Sequence, residues 1–307
     1  MTAHAPPSNS VVPPARGRTK TRDATPRLDM LHALTRWYRA MASERDQHRA
    51  VPDYLRQQVE RSWRKESRYL HWFGLRDGMS VLDLGCGPGH FTERLADELP
   101  NASITALDAE AASLEHARRR LAGRAVVVQG RAEATGLPSN VFDFVLARLL
   151  FQHLHDPLPV AAEAYRVLKP GGKLVITDVD DELFGIVEPH IRGFRRLLVR
   201  YGRSQKDCGG NRHVGRQLVQ LLRSAGFVDP DIEAVATHSD QAGIAACLPQ
   251  LDPTPLRSLV DSGDLSRLEY RLLRLAHTRY LQQPERFALV LNFMACGAKP
   301  ATKAEPV

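Results

Sequence analysis

The 307-residue chain lacks the patterns that mark several classes of protein. It has four cysteines, far apart and without a C-x-x-C pair: Cys86, Cys208, Cys247 and Cys296. This spacing argues against a zinc knuckle or a disulfide framework. The longest weakly charged stretch, residues 287–298, is too short to span a bilayer, and the N-terminus lacks the apolar run of a secretory signal. We therefore expect no membrane insertion, no export and a cytoplasmic location.

Aromatic residues are absent from the basic N-terminal segment. The formal net charge is +7, and much of it lies in residues 15–22, within a segment, 1–26, that is rich in Pro, Ser, Thr and Arg. Such a composition predicts a disordered, solvated tail. Binding of single-stranded nucleic acid usually needs aromatic side chains on which bases stack. Nucleic acid is therefore not an expected partner, although an RNA-binding arm or a targeting segment stays open as the alternative.

The stretch VLDLGCGPGHF, residues 81–91, places a glycine-rich turn directly after an apolar run. The run at 79–84 predicts a buried strand, and the apolar spacing in residues 90–99 predicts a helix. Glycines at Gly85, Gly87 and Gly89 let backbone N–H groups approach a ligand at the helix N-terminus, where negative charge is favoured. The sequence therefore predicts a binding turn between a strand and a helix.

Spacing separates the ligands that this turn could hold. A phosphate-binding P-loop is excluded, because it ends in Gly-Lys-Ser/Thr and this turn continues Gly-His-Phe. The dinucleotide fingerprint G-x-G-x-x-G is weakened, because His90 stands where the third glycine belongs, but it stays open. A nucleoside that carries an amino acid needs an acidic residue to face a positive charge, and Asp83 fits. A turn without a ligand is the remaining alternative.

A second acidic residue supports a nucleoside ligand. The next predicted strand, 103–107, runs directly into Asp108. A carboxylate at the end of the second strand, roughly 20 residues past the glycine turn, is the usual device for binding both ribose hydroxyls. The two signals together favour a bound nucleoside over an empty turn.

Strands and helices alternate from residue 79 to residue 178, which predicts a parallel sheet covered on both faces. A helical stretch at 187–201, a helix at 215–225, a strand at 232–238 and a last strand at 287–296 follow, and the last strand should close the sheet in antiparallel fashion. We therefore predict an α/β fold: a Rossmann-like, seven-stranded, mostly parallel sheet with an antiparallel last strand, a helical N-terminal extension and a helical lid insertion. The predicted parts are a tail (1–26), N-terminal helices that include 28–41 and 53–73 (27–78), a core (79–182), lid helices with closing strands (183–300) and a second tail (301–307).

Six stretches of the chain, in this order, resemble the class I S-adenosylmethionine-dependent methyltransferases, in particular the small-molecule branch of quinone-biosynthesis and natural-product enzymes. They are VLDLGCGPG (81–89), ALD (106–108), QGRAE (129–133), FDFVLA (142–147), QHLHDP (152–157) and VLKPGGKL (167–174). Looser similarity extends to residues 215–218, 223–227 and 292–295. The resemblance implies S-adenosyl-L-methionine as cofactor, S-adenosyl-L-homocysteine as its product and no metal.

The resemblance also assigns roles in cofactor binding. The backbone of Gly85, Cys86 and Gly87 is expected to contact the methionine part, Asp83 to orient its ammonium group, and Asp108 with Ala109 to hold the ribose. Ala132 is expected at the adenine edge. Relatives often carry Asp where this chain has Arg131, so Glu133 or backbone takes the adenine contact. Arg148, after the fourth strand, is expected near the cofactor, with a solvated surface arginine as the alternative.

A proton acceptor is optional in methyl transfer, and the resemblance suggests His153 and Asp178 as the pair that would supply it. Strands four and five should be neighbours, and a carboxylate near His153 would raise the pKa of the imidazole. The alternative is that His153 only braces its loop. Weaker candidates, expected to be solvated or capping residues, are Asp180, Asp181, Glu188, His190 and His213. Core residues are expected among four aromatic residues at helical spacing, Trp37, Tyr38, Trp63 and Trp72, with contact to cofactor or substrate as the alternative for Trp37 and Tyr38.

The predicted function is O-, C- or N-methylation of a small organic acceptor by an enzyme of quinone-type or natural-product metabolism. The expected partner is that small-molecule acceptor, and a homodimer is left open. A non-catalytic protein that keeps the cofactor site, and a methyltransferase that acts on a macromolecule, are the alternatives. The lid predicted around residues 183–282 suits a closed small-molecule pocket better.

Overall fold

The computed structural model describes residues 47–207, 209–244, 247, 251 and 253–301. The predicted tail 1–26, the predicted helix 28–41 with Trp37 and Tyr38, and all but the first residue of the tail 301–307 lie outside this part. The described helices include α1 (Gln47–Trp72), α2 (His90–Glu98), α3 (Ala111–Leu121), α4 (Leu158–Val167), α5 (Phe194–Asp207), α6 (Leu218–Ser224), α7 (Ser239–Ala242), α8 (Arg257–Asp261) and α9 (Arg267–Gln282).

The strands form one sheet in the order β3-β2-β1-β4-β5-β8, with β6 and β7 both paired to β8. Their bounds are β1 (Ser80–Leu84), β2 (Ser103–Asp108), β3 (Val126–Gln129), β4 (Phe142–Arg148), β5 (Leu168–Asp178), β6 (Gly185–Glu188), β7 (Val228–His238) and β8 (Phe287–Ala298). Strands β1 to β5 pair in parallel, whereas β8 is antiparallel to β5, β6 and β7. The predicted parallel sheet with an antiparallel last strand is confirmed.

Alternating apolar side chains bury both faces of the sheet, because successive residues of a strand point to opposite faces. Leu82 and Leu84 of β1 belong to the cluster that contains α4 and α6. Val81, which directly precedes Leu82 and points to the opposite face, belongs to the cluster that contains α1 and α2. Helices therefore cover the two faces, and the carboxyl ends of the parallel strands meet at one edge of the sheet.

The segment between β5 and β8 has a hydrophobic cluster of its own. Its buried members come from α5, α8, α9 and the connections between them, and they include Phe194, Leu197, Leu259, Leu273 and Tyr280. A capping box at Ser266 and Glu269 fixes the start of α9. The predicted domain boundaries stay a prediction, but this cluster shows that the helical segment packs around itself as well as on the sheet.

One local prediction is wrong. Residues 187–201 were expected to be helical, but Gly185–Glu188 form β6, and α5 begins only at Phe194. Strand β6 pairs with the N-terminal half of β8, from Val290 to Phe287, beyond the half that pairs with β5. The described sheet therefore has eight strands rather than seven.

Among the described residues, no helix is both long enough and apolar enough to cross a membrane.

Candidate functional site

Four of the predicted site residues lie at the carboxyl ends of neighbouring parallel strands. Asp83 is in β1, Asp108 ends β2, Arg148 ends β4 and Asp178 ends β5. Ligands bind at this edge in open α/β sheets. The topology therefore brings the predicted residues to one side of the molecule, as expected for a single site.

The glycine turn is held against the end of β2. Both Gly85 and Cys86 donate backbone hydrogen bonds to the carbonyl oxygen of Leu107, at 2.7 and 3.0 Å. Gly85 has φ +82°, and a Cβ added there would lie 3.0 Å from Leu150. The turn requires glycine at this position for its conformation and for its close approach to the loop after β4.

Asp108 faces the turn directly. Its Oδ2 accepts a hydrogen bond from the backbone N–H of Gly87 at 2.8 Å, and its Oδ1 accepts one from that of Glu110 at 2.9 Å. Burial raises the pKa of the carboxyl, while these two donors oppose the rise. At Gly87, with φ +52°, an added Cβ would meet nothing within 4 Å. A carboxylate acceptor beside open space over a glycine backbone fits a ribose-bearing ligand with an amino-acid end.

Asp83 lies behind the turn and is almost fully buried, with 1% of its surface exposed. Its Oδ2 accepts a hydrogen bond from the hydroxyl of Thr92, at 2.6 Å. Burial raises the pKa of Asp83 to about 6, and the hydrogen bond from Thr92 and the positive charge of Arg148 oppose this rise. The carboxyl is therefore still ionised for the most part at pH 7, as a partner of an ammonium group must be.

The thiol of Cys86 is inert. Burial and the negative charges of Asp83 and Asp108 all raise the pKa of the thiol. Only the backbone of this residue is suited to a role in the turn.

The predicted adenine edge lies beside the end of β2. The backbone N–H of Gly130 donates to the carbonyl of Asp108 at 3.0 Å, and the side-chain amide of Gln129 donates to that of Ala109 at 3.3 Å. This pairing brings Ala109 close to the loop that carries Ala132. Glu133 accepts a hydrogen bond from Arg131 at 2.8 Å. The carboxylate that was expected to contact adenine therefore already binds Arg131, the residue that stands where relatives often carry Asp.

Arg148 is not a solvated surface residue, because only 9% of its side chain is exposed. Its guanidinium forms a bidentate ion pair with the fully buried Glu66 of α1, at 2.8 and 3.2 Å, and donates to the hydroxyl of Ser62 at 3.1 Å. It also lies 5.4 Å from the centre of the Phe91 ring. Phe91 in turn packs edge-on against Trp63 at 5.2 Å. Helix α1 is thereby tied to the end of β4.

His153 and Asp178 do not form the predicted pair within the described residues. Asp178 is fully buried and accepts hydrogen bonds from the backbone N–H groups of Gln152 and Val179, at 3.0 and 2.8 Å. Burial raises the pKa of Asp178 to about 7. The expected rise in the pKa of His153 is wrong: burial and the charge of Arg212 lower that pKa to about 3.

A charged network that the sequence analysis missed surrounds this pair. Arg212 forms a bidentate ion pair with the buried Asp181, with both hydrogen bonds at 2.8 Å, and also binds the side-chain oxygen of Gln152. Arg216 binds the fully buried Asp180. Asp180 also caps the turn that follows, because it accepts from the backbone N–H of Glu182 at 3.1 Å, as expected of a capping residue. Asp181 is buried and ion-paired, so the expectation that it is solvated is wrong.

Other candidates fall outside the site or at its rim. Glu188 and His190 are exposed, as expected. His213 lies 3.4 Å from Asp180 through its Nδ1. Trp72 is 73% exposed and is not part of the core, whereas Trp63 packs against the core cluster around α1 and α2.

Comparison with known proteins gives the site its context. The family described as "Methyltransferase domain" matches residues 82–176. A trans-aconitate 2-methyltransferase from Methylobacterium radiotolerans is 30% identical over 60% of this chain and 71% of its own length. A ubiquinone/menaquinone biosynthesis C-methyltransferase from Desulfotalea psychrophila is 33% identical over 48% of this chain. An uncharacterized 37.1 kDa transposon protein from Streptomyces fradiae is 35% identical over 61% of this chain.

The matches differ in how much of each relative they cover. This chain spans 65% of the length of the Desulfotalea enzyme and 56% of that of the Streptomyces protein. Among solved structures, a phosphoethanolamine N-methyltransferase 2 from Haemonchus contortus has the same fold, with a TM-score of 0.51 and 22% identity over 78% of this chain and 53% of that chain. Together with the glycine turn, Asp108 and the strand order, the Methylobacterium match shows that the chain belongs to the class I S-adenosylmethionine-dependent methyltransferases.

Proposed function

We propose that this protein binds S-adenosyl-L-methionine at the glycine turn and transfers its methyl group to a small, uncharged organic acceptor. One observation carries the cofactor assignment: the hydrogen bond of 2.8 Å between Gly87 and Asp108, beside open space over the glycine backbone. When bound, S-adenosylmethionine supplies an electrophilic methyl carbon on a positively charged sulfur.

The chain's own residues hold this cofactor by charge and shape. Asp108 accepts from the ribose hydroxyls, as carboxylates at this position do. Asp83 is ionised and faces the ammonium group, and the backbone of Gly85 to Gly87 approaches the carboxylate. Holding the acceptor in line with the methyl group and excluding water from the positively charged centre supply much of the rate.

Two observations support an uncharged acceptor. The arginines that reach the site from β4 and from the loop at 209–216 are each neutralised by a buried carboxylate, Arg148 by Glu66 and Arg212 by Asp181. Both guanidinium groups are therefore already paired, and neither is available to bind an acidic substrate. Residues 183–282 and helix α1 then serve as the lid that gives the pocket its shape.

The acceptor should need little help from a protein base. The imidazole of His153, with a pKa of about 3, holds a proton only weakly, and both oxygens of Asp178 already accept backbone hydrogen bonds. A phenol, an amine or an activated carbon loses its proton without a strong base. Such acceptors therefore suit this site better than an unactivated alcohol does.

Calorimetry and a transfer assay test this proposal. The protein should bind S-adenosylmethionine and S-adenosylhomocysteine but not NAD, and it should transfer radiolabelled methyl groups to members of a panel of uncharged phenols and quinols in preference to carboxylic acids. Tight binding of NAD with no binding of either sulfur compound would assign the turn to a dinucleotide instead. Transfer only to carboxylic acids would refute the uncharged acceptor while leaving the cofactor assignment intact.

A further inference from the structure

The ion pair between Glu66 and Arg148 is unusual for its burial and its position. The side chains are 0% and 9% exposed, and the two residues are separated by 82 positions in the sequence. Ser62, one helical turn before Glu66, donates its own hydroxyl to the carbonyl of Gln58 and accepts from Arg148. On the side of α1, the guanidinium is thus surrounded by its hydrogen-bond acceptors, the Glu66 carboxylate and the Ser62 hydroxyl.

Besides Glu66 and Ser62, the guanidinium contacts the helix that follows the glycine turn. It stacks on the ring of Phe91, in the first turn of α2, directly after the glycine turn. The next residue, Thr92, holds Asp83. The positive charge of Arg148 opposes the rise that burial causes in the pKa of Asp83. Arg148, Asp83 and the start of α2 therefore lie in one small volume at the carboxyl ends of the paired strands β4 and β1.

A positive charge in this volume matters because donor and product differ in charge. S-adenosylmethionine carries a positive charge on its sulfur, and S-adenosylhomocysteine has a neutral sulfur. An uncompensated guanidinium nearby would repel the donor and leave the product almost unaffected.

We infer that Glu66 is a positioning residue that acts through Arg148. By neutralising the guanidinium, Glu66 lets the site bind the cationic donor at least as well as the neutral product. This inference rests on the proposed function, since it requires S-adenosylmethionine at the glycine turn. Helix α1 then contributes to the balance between donor binding and product inhibition, in addition to covering the site.

The Glu66→Gln variant tests the inference through the ratio of two dissociation constants, that of S-adenosylmethionine over that of S-adenosylhomocysteine. Removing the charge of Glu66 should raise this ratio by about 5- to 15-fold, the range that Coulomb's law gives for one unit charge acting over about 10 Å at an effective dielectric constant of about 20 to 40. A purely structural role of Glu66 would weaken both ligands equally and leave the ratio unchanged.

The opposite variant keeps the test decisive if Glu66→Gln folds poorly. Arg148→Met leaves the negative charge of Glu66 in place, so the ratio should stay level or fall, and the double variant should return it close to that of the wild type. The matched control is Glu60→Gln, which breaks an exposed ion pair with Arg56 on the same helix and should not change the ratio.

Isothermal titration calorimetry with both ligands on the full chain and its four variants gives the answer. A ratio that shifts by less than 2-fold in Glu66→Gln, or that rises equally in Glu66→Gln and Arg148→Met, overturns the inference. Failure of the proposed function would be a different result, namely that neither ligand binds to the wild-type protein.

Discussion

His153 and Asp178 should give this protein two opposing pH dependences of stability. The pKa of His153 is lowered from 6.5 to about 3, so its contribution to stability is present above pH 6.5 and is lost as the pH falls towards 3. The pKa of Asp178 is raised from 3.8 to about 7, so its contribution is present below pH 3.8 and is lost as the pH rises through 7. Between pH 5 and 7 the two effects have opposite signs.

The magnitudes follow from the sizes of the shifts. One pKa unit corresponds to about 1.4 kcal/mol, so the free energy of unfolding should change by about 2 kcal/mol between pH 5 and 7 for each residue. For His153 this is an upper value, because its ring is partly exposed and solvent weakens the effect. The two changes largely cancel in the wild-type protein.

Single substitutions should reveal each contribution. In His153→Asn, the free energy of unfolding should fall by about 2 kcal/mol relative to wild type as the pH rises from 5 to 7, because the effect of Asp178 is then unopposed. In Asp178→Asn it should rise by a similar amount over the same range. Comparison with wild type at each pH removes the contribution of all other titrating groups.

Urea unfolding at pH 5, 6 and 7, followed by fluorescence and circular dichroism, measures these slopes. Parallel curves for wild type and both variants would show that neither group has a shifted pKa. Slopes of the same sign in the two variants would refute the burial argument for one of them.

Further predictions concern single contacts. Asp108→Ala should weaken binding of S-adenosylhomocysteine by about 1 to 3 kcal/mol in calorimetry, because ribose hydroxyls lose their acceptor, whereas Asp97→Ala in the exposed pair with Arg124 should not. Asp181→Asn should cost up to about 3 kcal/mol of unfolding free energy, because Arg212, whose side chain is only 20% exposed, loses its ion-pair partner, and a loss under 1 kcal/mol would mean that water replaces the carboxylate. Gly85→Ala should lower the melting temperature more than Gly78→Ala does, and of the two variants only Gly85→Ala should weaken cofactor binding. Both glycines have φ above +80°, but only at Gly85 would an added Cβ lie within 4 Å of Leu150. Equal effects of the two glycine variants would show that the close approach of Gly85 to Leu150 is not the cause.

Local patterns made most of the sheet predictable from the sequence. Short apolar runs separated by helical spacing predicted the alternation of strands and helices from residue 79 to residue 178, with β1 and β2 within one residue of their bounds, and the glycine turn with Asp108 indicated the edge that carries the candidate site. These signals are local, because each depends on residues that are neighbours along the chain or one helical turn apart.

Contacts between distant segments could not be predicted in this way. Nothing in the sequence around Arg148 indicates that a carboxylate 82 residues earlier neutralises it, although the spacing of Ser62 and Glu66 does place both on one helix face. Strand β6 shows the same limit: Ile186 and Val187 suit a strand as well as a helix start, and pairing with β8 decides between them. The lowered pKa of His153 likewise depends on burial by the folded chain and, after that, on the charge of Arg212, which belongs to a different loop.

The position of β8 has a consequence for synthesis of the chain on the ribosome. Strand β8 lies between β5 and β7 and supplies hydrogen-bond partners to three other strands. Until residues 287–298 leave the exit tunnel, β5 keeps an open edge from Lys173 to Asp178, and such edges pair readily with other chains. The nascent protein therefore carries an aggregation-prone edge through the synthesis of more than 100 residues, and we expect chaperone binding to concentrate on ribosomes at this stage.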